Sequence, residues 1–232
     1  MRDVIIALDF KDGETALDFL DGFAGVKPFV KVGMELFYAE GPAIVKEIKK
    51  RGHKIFLDLK LHDIPNTVKG GMRSISGLGV DLINLHASGG TAMMKAALEG
   101  TFRADGSRPL VVAVTQLTST SQNILREELL IHTSMDETIL HYAKNAKEAG
   151  LDGIVCSPLE ASLIKKQLGS GFITVTPGIR FEGSDAEDQV RVTTPSDAGK
   201  TGTDYIVVGR PITQALDPVQ AYSRCLKEFT EA

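Results

Sequence analysis

At 232 residues, 43% of them hydrophobic, and with a formal net charge of −4, the chain is long enough for one large α/β domain and too acidic to expect a nucleic-acid or membrane-surface partner. Its densest basic cluster, KEIKKRG from Lys46 to Gly52, alternates with acidic and apolar residues like a solvated helix end, and no apolar run approaches the roughly 20 residues needed to span a bilayer. The two cysteines, Cys156 and Cys225, lack metal-ligand spacing, and the chain opens on MRDVIIALDF rather than on a basic segment with a long apolar stretch and cleavage site, so a soluble, reduced, cytoplasmic protein is expected.

In chain order, VIIALD, FVKVG, KIFLDLK, DLINLHA, LVVAVTQL, GIVCS, FITVTPG and YIVVGR read as strands. Between them AIVKEIKKRG, AMMKAALEG, ILHYAKNAKEAG and EASLIKKQLG carry apolar residues near i, i+3, i+4 spacing and end in Gly, a helix stop. Continuous apolar strands interleaved with helices predict a parallel sheet covered by helices, and eight such units at this length predict a (β/α)8 TIM barrel. No linker or shift in composition divides the chain, so residues 1–232 are read as a single domain.

In such barrels the chemistry sits where each strand stops. The first strand ends at Asp9, the second carries Lys31, the third ends with Asp58 and Lys60, the fourth carries Asn84 and His86, and the fifth runs out into Thr118. Alternation along a strand puts Phe56, Asp58 and Lys60 on one face and Ile55, Leu57 and Leu59 on the other. The aliphatic face must meet the helices, which leaves the charged face in the barrel mouth. Taken singly, Asp9 reads as a turn or cap residue and Lys31 as a snorkelling side chain. Coming from three neighbouring strands, Asp9, Lys31, Asp58 and Lys60 instead form one alternating network in which each ammonium stays protonated. A structural ion cluster is the competing reading. Pro65, in DLKLHDIPNT, fits the first turn of a following helix.

The last two strands carry a second signal. TPGIR (Thr176 to Arg180) and VVGRPIT (Val207 to Thr213) put Gly and Arg just past strands seven and eight, where barrels often build a phosphate site, and Arg supplies a forked, charge-assisted contact. Turn glycines beside surface arginines are the plainer reading of either motif alone. The polar run FEGSDAEDQVRVTTP between them is a candidate closing loop, or a solvated excursion.

DLKLHDIPNTV resembles the signature of the orotidine 5'-phosphate decarboxylase family, and IIALDF, VKVGMELF, NLHASGG, VTQLTS, TPGIR and VVGRPI follow in that family's order and spacing. The resemblance implies a homodimeric barrel that converts orotidine 5'-monophosphate to uridine 5'-monophosphate and CO2 in pyrimidine synthesis, without metal or organic cofactor. By position it assigns the charged network to Lys31, Asp58, Lys60 and Asp63, with Asp63 and Thr67 reaching the partner's site and Ile64 among the substrate-binding residues. It further assigns a ribose contact to Asp9, a pyrimidine amide contact to Thr118, and a loop bridge between base and phosphate to Gln189. Arg180, Gly209 and Arg210 become the phosphate and closing-loop contacts, and Pro177 a further substrate-binding residue. Glu35 and His62 lie near these motifs without a role. Two rivals remain at this stage: a metal-dependent sugar-phosphate decarboxylase or lyase on a similar barrel, and a nucleotide-binding barrel without turnover, for which the charged network has no purpose.

Overall fold

The computed structural model describes residues 2–23, 25–182 and 193–232. Eight parallel strands close into a barrel in sequence order: β1 Asp3–Ala7, β2 Phe29–Gly33, β3 Ile55–Leu61, β4 Leu82–His86, β5 Leu110–Val114, β6 Gly153–Val155, β7 Ile173–Thr176 and β8 Tyr205–Val208, with β8 returning to β1. Around them run α1 Gly13–Asp21, α2 Met34–Glu40, α3 Pro42–Lys50, α4 Pro65–Ser76, α5 Gly90–Gly100, α6 Gln122–Glu127, α7 Met135–Glu148, α8 Pro158–Leu168, α9 Pro195–Lys200, α10 Arg210–Thr213 and α11 Pro218–Thr230. This is the (β/α)8 architecture expected from the alternating apolar runs. Among the described residues no helix is long and apolar enough to cross a membrane.

Strand alternation divides the core in two. Ile5, Phe29, Phe56, Leu82, Val112, Val175 and Val207 fill the barrel interior. Their strand neighbours Val4, Ile6, Val30, Ile55, Leu57, Ile83 and Leu85 pack outward against the helices. Each strand is therefore buried on both faces, which is why it reads as an unbroken apolar run.

The floor of the barrel is built by a repeat. Gly79-Val80-Asp81, Gly150-Leu151-Asp152 and Gly202-Thr203-Asp204 precede β4, β6 and β8, each Gly in the left-handed region with φ of 77°, 87° and 82°. Each Asp accepts a backbone N–H near the start of the preceding strand: Ile55 at 2.8 Å, Val111 at 2.7 Å and Thr174 at 2.8 Å. Each also pairs with a cation, Lys49, Arg108 and Lys165 respectively. These carboxylates fasten one end of the barrel, and the other end is left for chemistry.

Helix ends follow the sequence closely. Ser134 and Ser157 form capping boxes with Glu137 and Glu160, and Pro65 occupies the first turn of α4. Gly52, Gly150 and Gly169 sit at positive φ where the helical runs stop. Gly100 departs from that expectation. It is the last residue of α5, and a Cβ there would collide with the Lys69 carbonyl of α4, so the glycine lets two helices approach.

Candidate active site

A cleft of ≈ 660 Å³ opens at the C-terminal ends of the strands, a volume suited to a nucleotide-sized ligand. Asp9, Lys31, Asp58, Lys60 and Asn84 line it from β1 to β4, Thr118 from beyond β5, and Pro177, Gly178, Arg180, Gly209 and Arg210 from beyond β7 and β8.

The charged wall is assembled by register. Lys31 pairs beside Ala7 and Phe56, one layer below the level of Asp9, Gly33 and Asp58. Its ammonium rises into the space that Gly33 leaves; a Cβ on Gly33 would lie 2.9 Å from Lys31 Nζ. There Lys31 Nζ donates to Asp9 Oδ1 at 2.9 Å and stands 3.6 Å from Asp58 Oδ2. Lys60 Nζ donates to Asp58 Oδ1 at 2.7 Å. The order Asp9, Lys31, Asp58, Lys60 thus alternates sign across three strands, as strand ends alone predict.

Burial sets the electrostatics. The side chains of Lys31 and Asp58 are each 11% exposed. Burial pushes Lys31 down, but Asp58 and then Asp9 outweigh it and hold the ammonium above its ordinary range. Burial pushes Asp58 up, but Lys31 and Lys60, with hydrogen bonds from Lys60 and Asn84, hold it below the usual carboxylate range. The pair therefore stays charged, and removing one member would strand the other.

Simple alternation does not fully describe β3. Lys60 has φ +50°, in the left-handed region that a lysine enters at a cost of about 1–3 kcal/mol. The β3–β4 register shifts between Leu57 and Leu61. Bulges of this kind re-aim side chains beside active sites. Asn84, 1% exposed, packs into the irregularity and touches both Asp58 and Lys60. Its polarity inside the apolar run LINL was the available signal, but its partners were not legible.

The other expected residues fall into four groups. Pro177, Gly178 and Arg180 follow β7, and Gly209 and Arg210 follow β8; both sets face the same cleft. Strand β5 ends at Val114, so Thr118 reaches the cleft from the turn beyond it rather than from the strand. Asp63, Ile64 and Thr67 are exposed and are not among the residues lining the cleft; Asp63 Oδ1 accepts the Ile64 N–H at 2.6 Å. Gln189 lies outside the described residues. The ends of its segment are joined, Arg180 N–H to the Thr193 carbonyl and Thr193 N–H to the Gly178 carbonyl, both at 3.0 Å. Of the two residues without a role, Glu35 lies in the first turn of α2, and the His62 ring stacks tilted against His86 at 5.6 Å.

A model described as "Orotidine 5'-phosphate decarboxylase / HUMPS family" matches residues 2–225. An orotidine 5'-phosphate decarboxylase of Geobacillus sp. (strain WCH70) is 55% identical over 228 residues, covering 97% of this chain and 95% of its own. One of Bacillus cereus (strain Q1) is 55% identical over 231 residues, covering 98% and 97%. The crystal structure of orotidine 5'-phosphate decarboxylase from Lactobacillus acidophilus superposes with a TM-score of 0.89 at 44% identity, covering 99% of this chain and 100% of that one.

Proposed function

The chain belongs to the orotidine 5'-phosphate decarboxylase / HUMPS family, and on that footing we propose that it converts orotidine 5'-monophosphate to uridine 5'-monophosphate and CO2, a carboxy-lyase step of pyrimidine synthesis that needs no metal or organic cofactor. The observation that carries the reading is the alternating series Asp9, Lys31, Asp58, Lys60 lining the same cleft as Arg180, Gly209 and Arg210.

The substrate phosphate lies against Gly209, Arg210 and Arg180 with Pro177 beside them, the ribose meets Asp9, and Thr118 takes the pyrimidine amide. That pose brings the carboxyl-bearing ring carbon to Lys60. When the C–CO2 bond breaks, its electron pair stays on the ring carbon, in the ring plane and without a π sink. The site must then stabilise charge that is localised only in the transition state. Lys60 does so as a fixed ammonium and gives the carbanion the proton that replaces CO2. Asp58 faces the substrate carboxylate and repels it more than the departing neutral CO2. Lys31 holds Asp58 in place. Phosphate binding, remote from the reacting carbon, supplies energy for closure over the site.

The same reading makes the enzyme a cytoplasmic homodimer in which residues 1–232 act as one domain. Asp63, Ile64 and Thr67 are exposed beside the end of β3, which supports their use in a partner's cleft, where Asp63 extends the partner's series beyond Lys60. Against a metal-dependent lyase stands the occupancy of Asp58: Lys60 is at Oδ1 and Lys31 faces Oδ2, so ammonium groups already hold the positions a metal would take. Purified protein incubated with orotidine 5'-monophosphate and EDTA should lose the substrate's ultraviolet absorbance as uridine 5'-monophosphate accumulates. A flat trace from folded protein removes the reading, and turnover that EDTA abolishes favours the metal-dependent rival.

A further inference from the structure

Leu57 pairs with Ile83 and Leu61 with Leu85, so Asp58, Leu59 and Lys60 of β3 lie opposite the single residue Asn84 of β4. A bulge of this kind takes backbone N–H groups out of the regular ladder, and a buried N–H needs a new acceptor. Asn84 supplies one. Its Oδ1 accepts the Lys60 backbone N–H at 2.8 Å, and its Nδ2 donates to Asp58 Oδ1 at 2.6 Å. That Asp58 oxygen is the one that also takes Lys60 Nζ, at 2.7 Å.

One side-chain amide therefore closes a ring through the strained segment, fixing Lys60 by its backbone and Asp58 by its carboxylate. The chemistry of the position is demanding. It needs a neutral group with an acceptor and a donor a few ångströms apart. An aliphatic side chain would leave the Lys60 N–H unpaired, and a carboxylate would meet Asp58 with like charge. Left without an acceptor, Lys60 gains by relaxing out of φ +50° into the extended conformation, which turns its side chain away from Asp58.

We propose that Asn84 is a positioning residue for the decarboxylation: it stands in for the missing ladder partner, holds Lys60 in the left-handed conformation that aims its ammonium at the reacting carbon, and fixes the Asp58 carboxylate beside it. The assignment rests on the decarboxylase reading. It differs from a packing role because it predicts loss of turnover with retained ligand binding.

The test compares Asn84→Ala with Ile83→Ala, which opens a cavity on the outward face of the same strand, next to Asn84 but away from the cleft. Asn84→Ala is expected to lose about a hundredfold in kcat, the scale of a catalytic group displaced by about 1 Å. Its KM and its affinity for uridine 5'-monophosphate should stay within about threefold, and its crystal structure should show Lys60 outside the left-handed region. Ile83→Ala should melt earlier than wild type yet keep its kcat. Wild-type kcat in Asn84→Ala, or an equal loss in Ile83→Ala, overturns the proposal. If Asn84→Ala does not fold, Asn84→Ser gives the same two readouts. The Lys60 backbone angle in either variant reports on the inference even if wild-type protein leaves orotidine 5'-monophosphate untouched, an outcome that would sink the functional reading instead.

Discussion

His53, on the turn before β3, is 2% exposed and gives its Nδ1–H to the Pro28 carbonyl at 2.9 Å, while Nε2 is buried without a hydrogen-bond partner among the described residues. Burial holds the imidazole below its ordinary range, with Lys27 and Arg51 adding to it and the Pro28 bond opposing it. The folded state therefore prefers the neutral ring. Below about pH 6.5 the unfolded chain takes up a proton that the folded chain refuses, so this contribution to stability is present above that pH and lost as pH falls toward the depressed folded value. The urea midpoint should drop between pH 7.5 and pH 5.5, and it should drop less in His53→Gln. An equal drop in both proteins would show that some other group titrates. The Lys31–Asp58 pair has the opposite character: Lys31 is raised and Asp58 lowered, so both remain charged through the neutral range and neither acts as a pH switch there.

Among elements, the α4–α5 contact shows what the sequence hid. Gly100 reads as a stop signal, but it is helical and lies against the Lys69 carbonyl. Gly100→Ala should destabilise the fold by about 1–3 kcal/mol through overpacking, despite the ~1 kcal/mol by which Ala exceeds Gly in a helix, and thermal or urea unfolding would measure it. A stabilised variant would contradict the close approach. All eight strands were legible because barrel strands are buried on both faces and leave continuous apolar runs. The charged wall was legible for the same reason, since Lys31, Asp58 and Lys60 interrupt those runs. The β3 bulge was not. A lysine at positive φ has no sequence signature, and the bulge is stabilised by Asn84, 24 residues away in the chain. The floor repeat was present as three Gly-x-Asp triplets, but its meaning depends on which strand N–H each carboxylate meets in the closed barrel.

At the scale of the whole molecule, the proposed reaction takes two subunits. Asp63 and Lys60 are three positions apart in sequence, yet they serve different clefts in the proposed dimer. Mixing inactive Asp63→Ala with inactive Lys60→Ala should restore part of the activity through hybrid dimers that contain one intact site. Absence of recovery, once subunit exchange is demonstrated, would confine each site to its own chain. The proposed chemistry turns on one group: the barrel mouth decarboxylates orotidine 5'-monophosphate with Lys60 as the proton donor. Its most direct test is the turnover of Lys60→Ala beside wild type, with folding checked by circular dichroism and binding by uridine 5'-monophosphate affinity. The variant should fold and bind product, but its turnover should fall by at least about 10⁴-fold, more than general-acid catalysis alone supplies, because transition-state charge stabilisation is lost with it. Near-normal turnover by the variant would contradict it.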